Sequence, residues 1–264
     1  MSDFFSFDTL SLHAGQTLDP EFGSRAQPIH QTTSYVFSDT DTASSLFNME
    51  RGGHVYNRIP NPTVGVLEQR VAALEGGSAA VCVASGMSAV FCAITALVSQ
   101  GDHIVASANM YGGNISLLKN TLPRFGITTT FVDPTDLNAI ESAIQDNTKI
   151  VFGELIGNPG LSVMDIESVA QISKKHHVPL MIDGTFNTPY LCRCFDYGAN
   201  IIVHSLTKWM GGHGTSIGGV VVDGGNFDWG ATNKYTTLTE AYAPFSGINF
   251  WEEFGPSAFA TRIR

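Results

Sequence analysis

Three stretches of the sequence place reactive residue types directly behind short apolar runs. His204-Ser205-Leu206-Thr207-Lys208-Trp209-Met210-Gly211-Gly212 follows Ile201-Ile202-Val203. The chain has only six lysines, and Lys208 alone stands between a run of buried type and an aromatic-plus-glycine turn. Desolvation in such a place favours the free amine that a lysine nucleophile requires. Ser205 and Thr207 set two hydroxyls beside it, suited to phosphate oxygens. Asp183-Gly184-Thr185 follows the run 178–182, where an acid serves either as a cap or as the partner of a bound cation. Ser85-Gly86-Met87-Ser88 follows the run 79–84 and opens a helix, so its free N–H groups and the helix dipole can receive an anion. Taken alone, this last stretch also reads as an ordinary N-cap, with Ser85 capping and Gly86 permissive.

Together these are the parts needed to hold pyridoxal 5'-phosphate: a lysine for the Schiff base, an acid for the pyridinium nitrogen, and a helix N-terminus with hydroxyls for the phosphate. Other chemistries lack their motifs. There is no G-x-x-x-x-G-K-[ST], G-x-S-x-G or H-E-x-x-H. The nearest approach to G-x-G-x-x-G is Gly212-His213-Gly214-Thr215-Ser216-Ile217, which ends in Ile and lies far from the first strand. Cys82 and Cys92 sit in apolar runs, and Cys192 and Cys194 have one residue between them, not the two to four of a zinc knuckle. Reduced thiols and no metal site are therefore expected. His176-His177 is expected to complement a helix dipole, Trp209 to pack beside Lys208, and Glu154 to bond locally or to touch the site.

The elements that must position these residues are legible in the periodicity. Leu67, Val71 and Leu74 mark a helical face closed by Gly76-Gly77. Strand-length runs at 79–84, 103–106, 128–132, 150–155, 179–182, 200–203 and 218–222 alternate with helices over 86–98, 113–125, from about 136, and over 166–177. Ile150-Val151-Phe152 and Ile201-Ile202-Val203 are apolar on both faces, which predicts an α/β fold with a mostly parallel sheet covered by helices on both sides. In such a sheet ligands bind at the carboxyl ends of the strands, where the three stretches fall. Residues 1–62 lack sustained periodicity and read as an extended arm before a unit over 63–264; the segment 226–255 reads as a long excursion packed against something else.

Composition narrows the partners. A net charge of −10 argues against nucleic acid and acidic membranes. Charged residues are only 14% of the 264, against about 25% usually, so part of the surface is expected to be covered by other copies of the chain. The longest apolar stretch, 89–98, is about half the ~20 residues of a membrane span, and residues 1–18 carry no export signal, so a cytoplasmic protein is expected.

The sequence resembles the Cys/Met-metabolism pyridoxal-phosphate enzymes, which have the aspartate-aminotransferase-like fold (fold type I). The resemblance runs from Leu12-His13-Ala14-Gly15 onward. It is carried by Tyr56-Asn57-Arg58-Ile59-Pro60-Asn61-Pro62-Thr63, Ser85-Gly86-Met87, Tyr111-Gly112-Gly113, Glu154 with Asn158-Pro159, Asp183-Gly184-Thr185-Phe186, and His204-Ser205 with Thr207-Lys208. It implies that Lys208 forms the Schiff base, with Tyr111 as its companion in catalysis and the residue stacked on the cofactor ring. It further implies that Asp183 pairs with the ring nitrogen, that Gly86 and Met87 offer backbone N–H groups to the phosphate, and that Ser205 and Thr207 add hydroxyls. Ser85 and Thr185 complete the cofactor set, and Asn158 lies near the phenolic oxygen. Tyr56 and Arg58 are implied to reach the phosphate of a neighbouring subunit in a dimer or tetramer with shared sites.

His213-Gly214-Thr215-Ser216-Ile217-Gly218-Gly219 and the insert from Asp228-Trp229-Gly230 to Trp251 point to the sulfhydrylase branch of that family. That branch exchanges the acetate of O-acetyl-L-homoserine for sulfide, giving L-homocysteine in methionine and cysteine biosynthesis. A lyase acting on cystathionine or methionine, or a silent cofactor-binding paralogue, are the alternatives. Two departures stand out: Gly184 where Asn is frequent, and Asn57 where Ser is frequent. Members of the family continue into a smaller C-terminal domain carrying the Arg that grips the substrate carboxylate. The resemblance thus implies a fragment, a truncated product or one piece of a split enzyme.

Overall fold

The structure is a computed structural model describing residues 5–264. The segment expected to be an extended arm carries two short helices, α1 (Phe7–His13) and α2 (Thr40–Phe47), started by the side chains of Ser6 and Asp39, and neither buries a residue. α3 (Pro62–Glu75) follows with complete local signals. Asn61 accepts the N–H groups of Thr63 at 2.8 Å and Val64 at 3.2 Å, Pro62 occupies the first turn, and Gly76 ends the helix at φ +75°.

The alternating body comprises β1 (Ala79–Val83), α4 (Gly86–Leu97), β2 (His103–Ser107), α5 (Gly112–Ser116), β3 (Thr128–Val132), α6 (Leu137–Ala143), β4 (Thr148–Glu154), α7 (Ile166–Lys175), β5 (Leu180–Asp183), α8 (Thr188–Leu191), β6 (Ile201–Ser205) and β7 (Gly219–Asp223). The seven strands form one sheet in the order β1-β7-β6-β5-β4-β2-β3. β7 runs antiparallel to both neighbours, and every other pair is parallel. The α/β reading with a mostly parallel, two-sided sheet holds.

Alternation along the strands explains the doubly apolar runs. Ile150, Phe152, Ile201, Val203 and Val221 pack with Ala89, Val90, Ala93, Ile94 and Leu97 of α4. Val151, Leu180, Ile182, Ile202, Val220 and Val222 pack with Val71 of α3 and Val169 of α7 on the other face. Each Val, Leu, Ile or Phe among them contributes about 1.5–3 kcal/mol when fully buried. The long excursion after β7, with α9 (Thr236–Thr239), α10 (Phe250–Phe254) and α11 (Ala258–Ile263), is packed against the α4 side. There Trp229 stacks on Phe259 at 5.5 Å and meets Tyr235 edge-on at 5.1 Å.

One helix differs from expectation. The sequence predicts a continuous helix over 113–125, whereas α5 stops at Ser116 and gives way to a π turn, Leu117–Thr121, and a 3₁₀ turn, Leu122–Phe125. Pro123 lacks an N–H and restricts the residue before it, so the chain tightens there until Gly126 closes it at φ +75°. α7 likewise ends before the predicted His177, and His176 Nε2 reaches Glu141 Oε1 at 3.1 Å, pairing with a carboxylate rather than only with the helix end.

Among the described residues no helix is long and apolar enough to cross a membrane, and no group of three or more His, Cys, Asp or Glu is placed to hold a metal ion. All four cysteines are free, and burial pushes the Cys82 thiol up to about 12.

Candidate active site

The strand register brings the reactive stretches together. Glu154 at the end of β4 lies opposite Asp183 at the end of β5, and Asp183 opposite Val203 of β6. Gly219, opening β7, lies opposite both Ser205 and Val83, so the Ser85-Gly86 corner and the end of β6 flank it. A Cβ on Gly219 would strike the carbonyl of Ser85. A Cβ on Gly86 would come within 2.6 Å of Ser205 Cβ and 2.9 Å of its Cα. These two glycines let the start of α4 sit against the end of β6. Gly86→Ala is expected to cost about 1–3 kcal/mol of stability through overpacking at this contact. Denaturant unfolding checks it, and a change within about 0.5 kcal/mol, as at an indifferent surface site, would refute the close approach.

A cavity of about 580 Å³ opens at these strand ends, within the size range of small-molecule sites. Ser85, Gly86, Met87, Tyr111, Asn158, Asp183, Thr185, Ser205, Thr207 and Lys208 all line it. Tyr56 and Arg58 do not. They are exposed on the arm, with the Arg58 guanidinium 5.8 Å from the centre of the Tyr56 ring.

Asp183 is anchored from three sides. Its Oδ1 accepts from the Thr185 N–H at 3.0 Å and hydroxyl at 2.5 Å, and its Oδ2 accepts from Asn114 Nδ2 at 3.2 Å. Thr185 Oγ1 also accepts the Ser205 N–H at 2.9 Å, tying the loop after β5 to the end of β6. Across the cavity, Ser85 Oγ caps α4 by accepting the Ser88 N–H at 3.1 Å. Gly86 and Met87, the first residues of α4, have N–H groups with no intrahelical acceptor.

The surroundings of Lys208 add to what the sequence implied. Lys208 is exposed at the cavity rather than buried, because β6 ends at Ser205 and the turn that follows carries the amine out of the sheet. Trp209 lines the same cavity beside it and is 65% exposed rather than buried. Thr207 Oγ1 is engaged with the backbone of Gly218, accepting its N–H at 3.1 Å and donating to its carbonyl at 3.3 Å. Thr207 thus lines the cavity and also closes the turn that carries Lys208.

Sequence reasoning passed over Asn114 and gave Glu154 only a tentative place. Glu154 is buried on the cavity wall, and its Oε1 accepts the Tyr111 N–H at 2.7 Å and Asn114 Nδ2 at 3.2 Å. Burial first, and the neighbouring Asp183 second, push the Glu154 carboxyl up to about 7. The only signal for Asn114 was its place directly after Tyr111-Gly112-Gly113. The buried pair of His204 Nε2 and Glu75 Oε1, 2.5 Å apart behind β6, also went unread.

The donor set suits pyridoxal phosphate. A helix start with free N–H groups, packed so closely on Ser205 that a Cβ at Gly86 would fill the gap, can take the phosphate. Asp183 can take the ring nitrogen, Lys208 offers the amine, and the ring of Tyr111, half exposed on the cavity wall, offers a stacking face.

Fold and site together are those of the cofactor-binding part of fold-type I pyridoxal-phosphate proteins. Residues 8–250 match the Cys/Met metabolism PLP-dependent enzyme family, and the chain belongs to that family. It is 49% identical over 251 residues to an O-acetyl-L-homoserine sulfhydrylase of Leptospira meyeri, covering 95% of this chain and 57% of that protein. A homocysteine synthase of Schizosaccharomyces pombe is 49% identical over 260 residues, covering 98% and 61%. The solved structure of an O-acetylhomoserine (thiol)-lyase from Campylobacter jejuni superposes with a TM-score of 0.94 at 37% identity. That match covers 98% of this chain and 64% of that one, which carries a pyridoxyl-lysine-5'-monophosphate. The chain thus spans about 60% of the length of the curated relatives it matches.

Proposed function

We propose that this chain forms the cofactor-binding part of an enzyme that converts O-acetyl-L-homoserine and sulfide to L-homocysteine and acetate. The observation that carries the reading is the convergence of Lys208, Asp183 and the start of α4 on one cavity. The sulfhydrylase and homocysteine synthase relatives support the choice of reaction.

Pyridoxal phosphate, when bound, supplies an electron sink for charge developing at the substrate's α carbon. The chain's residues do the rest. Asp183 keeps a proton on the ring nitrogen, its own oxygens being oriented by Thr185 and Asn114. The N–H groups of Gly86 and Met87 and the hydroxyls of Ser205 and Thr207 would hold the phosphate, Tyr111 would offer its face to the ring, and Asn158 would serve the phenolic oxygen. Lys208 Nζ is the covalent anchor and the base that takes the proton from the α carbon and passes protons along the side chain. The exchange breaks the Cγ–O bond, releasing acetate, and forms a Cγ–S bond with hydrosulfide, so charge and atoms balance. The reading takes 1–62 as an arm and 63–264 as the cofactor-binding domain. It has Tyr56 and Arg58 reach the phosphate in a second subunit of a cytoplasmic homodimer or homotetramer.

The test is an assay of the purified chain with pyridoxal phosphate, O-acetyl-L-homoserine and sulfide. Homocysteine whose yield rises with sulfide is expected. Ammonia release from cystathionine or methionine, unaffected by sulfide, would replace the reading with a lyase. Cofactor uptake without turnover of any of these would replace it with a silent binding protein.

A further inference from the structure

The fold sets two carboxylates side by side. Glu154 and Asp183 are register partners on adjacent parallel strands, and both line the cavity. Neighbouring strands lie about 4.8 Å apart, so the charges would repel unless something intervened. What intervenes is Asn114, 1% exposed, whose single amide nitrogen is 3.2 Å from Glu154 Oε1 and 3.2 Å from Asp183 Oδ2. Its two hydrogens suffice for both. Among the described residues its Oδ1 is buried without a partner, so the amide is oriented by the two carboxylates. Turned over, it would point its oxygen at both of them. The Glu154 oxygen that meets Asn114 also accepts the Tyr111 N–H at 2.7 Å, and this bond is made at the N-cap residue just before α5.

We propose that Glu154 is a positioning residue of the cofactor site, which through Asn114 orients the Asp183 carboxylate and through the Tyr111 backbone sets the stacking ring. One buried carboxyl would thus hold two residues that address different parts of the cofactor, its ring nitrogen and its face. Asp183 keeps three donors of its own, from Thr185 and Asn114. Burial pushes the Glu154 carboxyl up to about 7, which limits the charge it sets beside Asp183. The proposal rests on the cofactor reading given above.

The experiment compares wild type, Glu154→Ala, Glu154→Gln and Asn114→Ala, each titrated with pyridoxal phosphate. Cofactor affinity is read together with the circular dichroism induced in the bound cofactor's visible band, and a far-ultraviolet spectrum reports folding. Glu154→Ala and Asn114→Ala are each expected to weaken affinity about ten- to hundredfold, as for loss of hydrogen bonds to a charged group. Both should also change the induced signal, which reports the tilt of the ring and would not move if the residues only supported the fold. Glu154→Gln keeps an acceptor for Tyr111 and Asn114 and is expected to restore affinity to within about threefold of wild type, because that acceptor carries the effect. If Glu154→Ala fails to fold, Asn114→Ala and Glu154→Gln decide the matter by the same two readouts. Affinity within about twofold of wild type and an unchanged induced signal in the alanine variants would overturn the positioning role, since a lost charge-assisted bond exceeds that margin. A wild-type chain that takes up no cofactor overturns the cofactor reading, and the positioning role with it.

Discussion

Replacing Lys208 by alanine is expected to abolish covalent capture of pyridoxal phosphate while leaving weaker, reversible binding in place. Asp183, the start of α4 and Ser205 lie on other parts of the cavity and do not depend on the amine for their positions. The turn that carries Lys208 is closed by Thr207 and Gly218, so the substitution should leave the fold intact. The exposure of Lys208 at the cavity means that the aldehyde can reach it without rearrangement of the sheet. Borohydride reduction and peptide mapping of wild type should find the label on Lys208 and none in the variant. Turnover should fall by at least the roughly 10²–10⁴-fold attributed to a positioned proton-transfer group. Label on another lysine of the wild-type chain, or an unlabelled Lys208 in protein saturated with cofactor, would remove the basis of the site.

The second large effect concerns stability. Glu75, the last residue of α3, and His204, next to last in β6, have fully buried side chains 2.5 Å apart. Among the described residues Glu75 Oε2 and His204 Nδ1 have no hydrogen-bond partner, so each side chain relies on this one contact. Glu75→Ala leaves the imidazole buried with neither nitrogen satisfied. The expected loss is about 3–5 kcal/mol, as for other buried pairs broken from one side. That is a large part of the roughly 5–15 kcal/mol that separates folded from unfolded domains. Urea unfolding of wild type, Glu75→Ala and Glu75→Gln measures it, with the glutamine variant expected to recover much of the loss because it retains an acceptor. A loss under about 1 kcal/mol in the alanine variant, no more than an exposed ion pair gives, would show that the contact does not hold α3 to the sheet.

The same pair accounts for a residue that the sequence left unexplained. A Cβ on Gly184 would lie 2.6 Å from His204 Cε1, so the imidazole occupies the space that any larger residue would need. The turn after Asp183 is glycine because a buried histidine from the next strand passes beneath it. Periodicity could not supply this, since Gly184 follows β5, His204 lies in β6, and the two meet only once those strands are paired.

What could be read from the chain alone were features governed by short-range physics. Apolar runs placed the strands, and Ser85 and Gly76 marked helix ends because a cap is decided by atoms a few residues apart. Lys208, Asp183 and the Gly86-Met87 corner were recognisable because each follows a strand, and strand ends in a parallel sheet share one edge. The broken helix after Ser116 was misjudged where apolar periodicity outweighed the local effect of Pro123. The order of the strands, and everything that depends on it, came only with the tertiary structure. Pairing β4 with β5 in register puts Glu154 beside Asp183 and gives Asn114 two carboxylates to bridge. Packing of α3 behind β6 brings Glu75 to His204 across more than a hundred residues of sequence, and the turn after Ser205 turns Lys208 outward. Residue types and local spacing determined which groups were available for chemistry. Which of them touch, and which face the cavity, was decided by long-range packing, because contact between distant segments depends on the whole sheet rather than on any stretch of it.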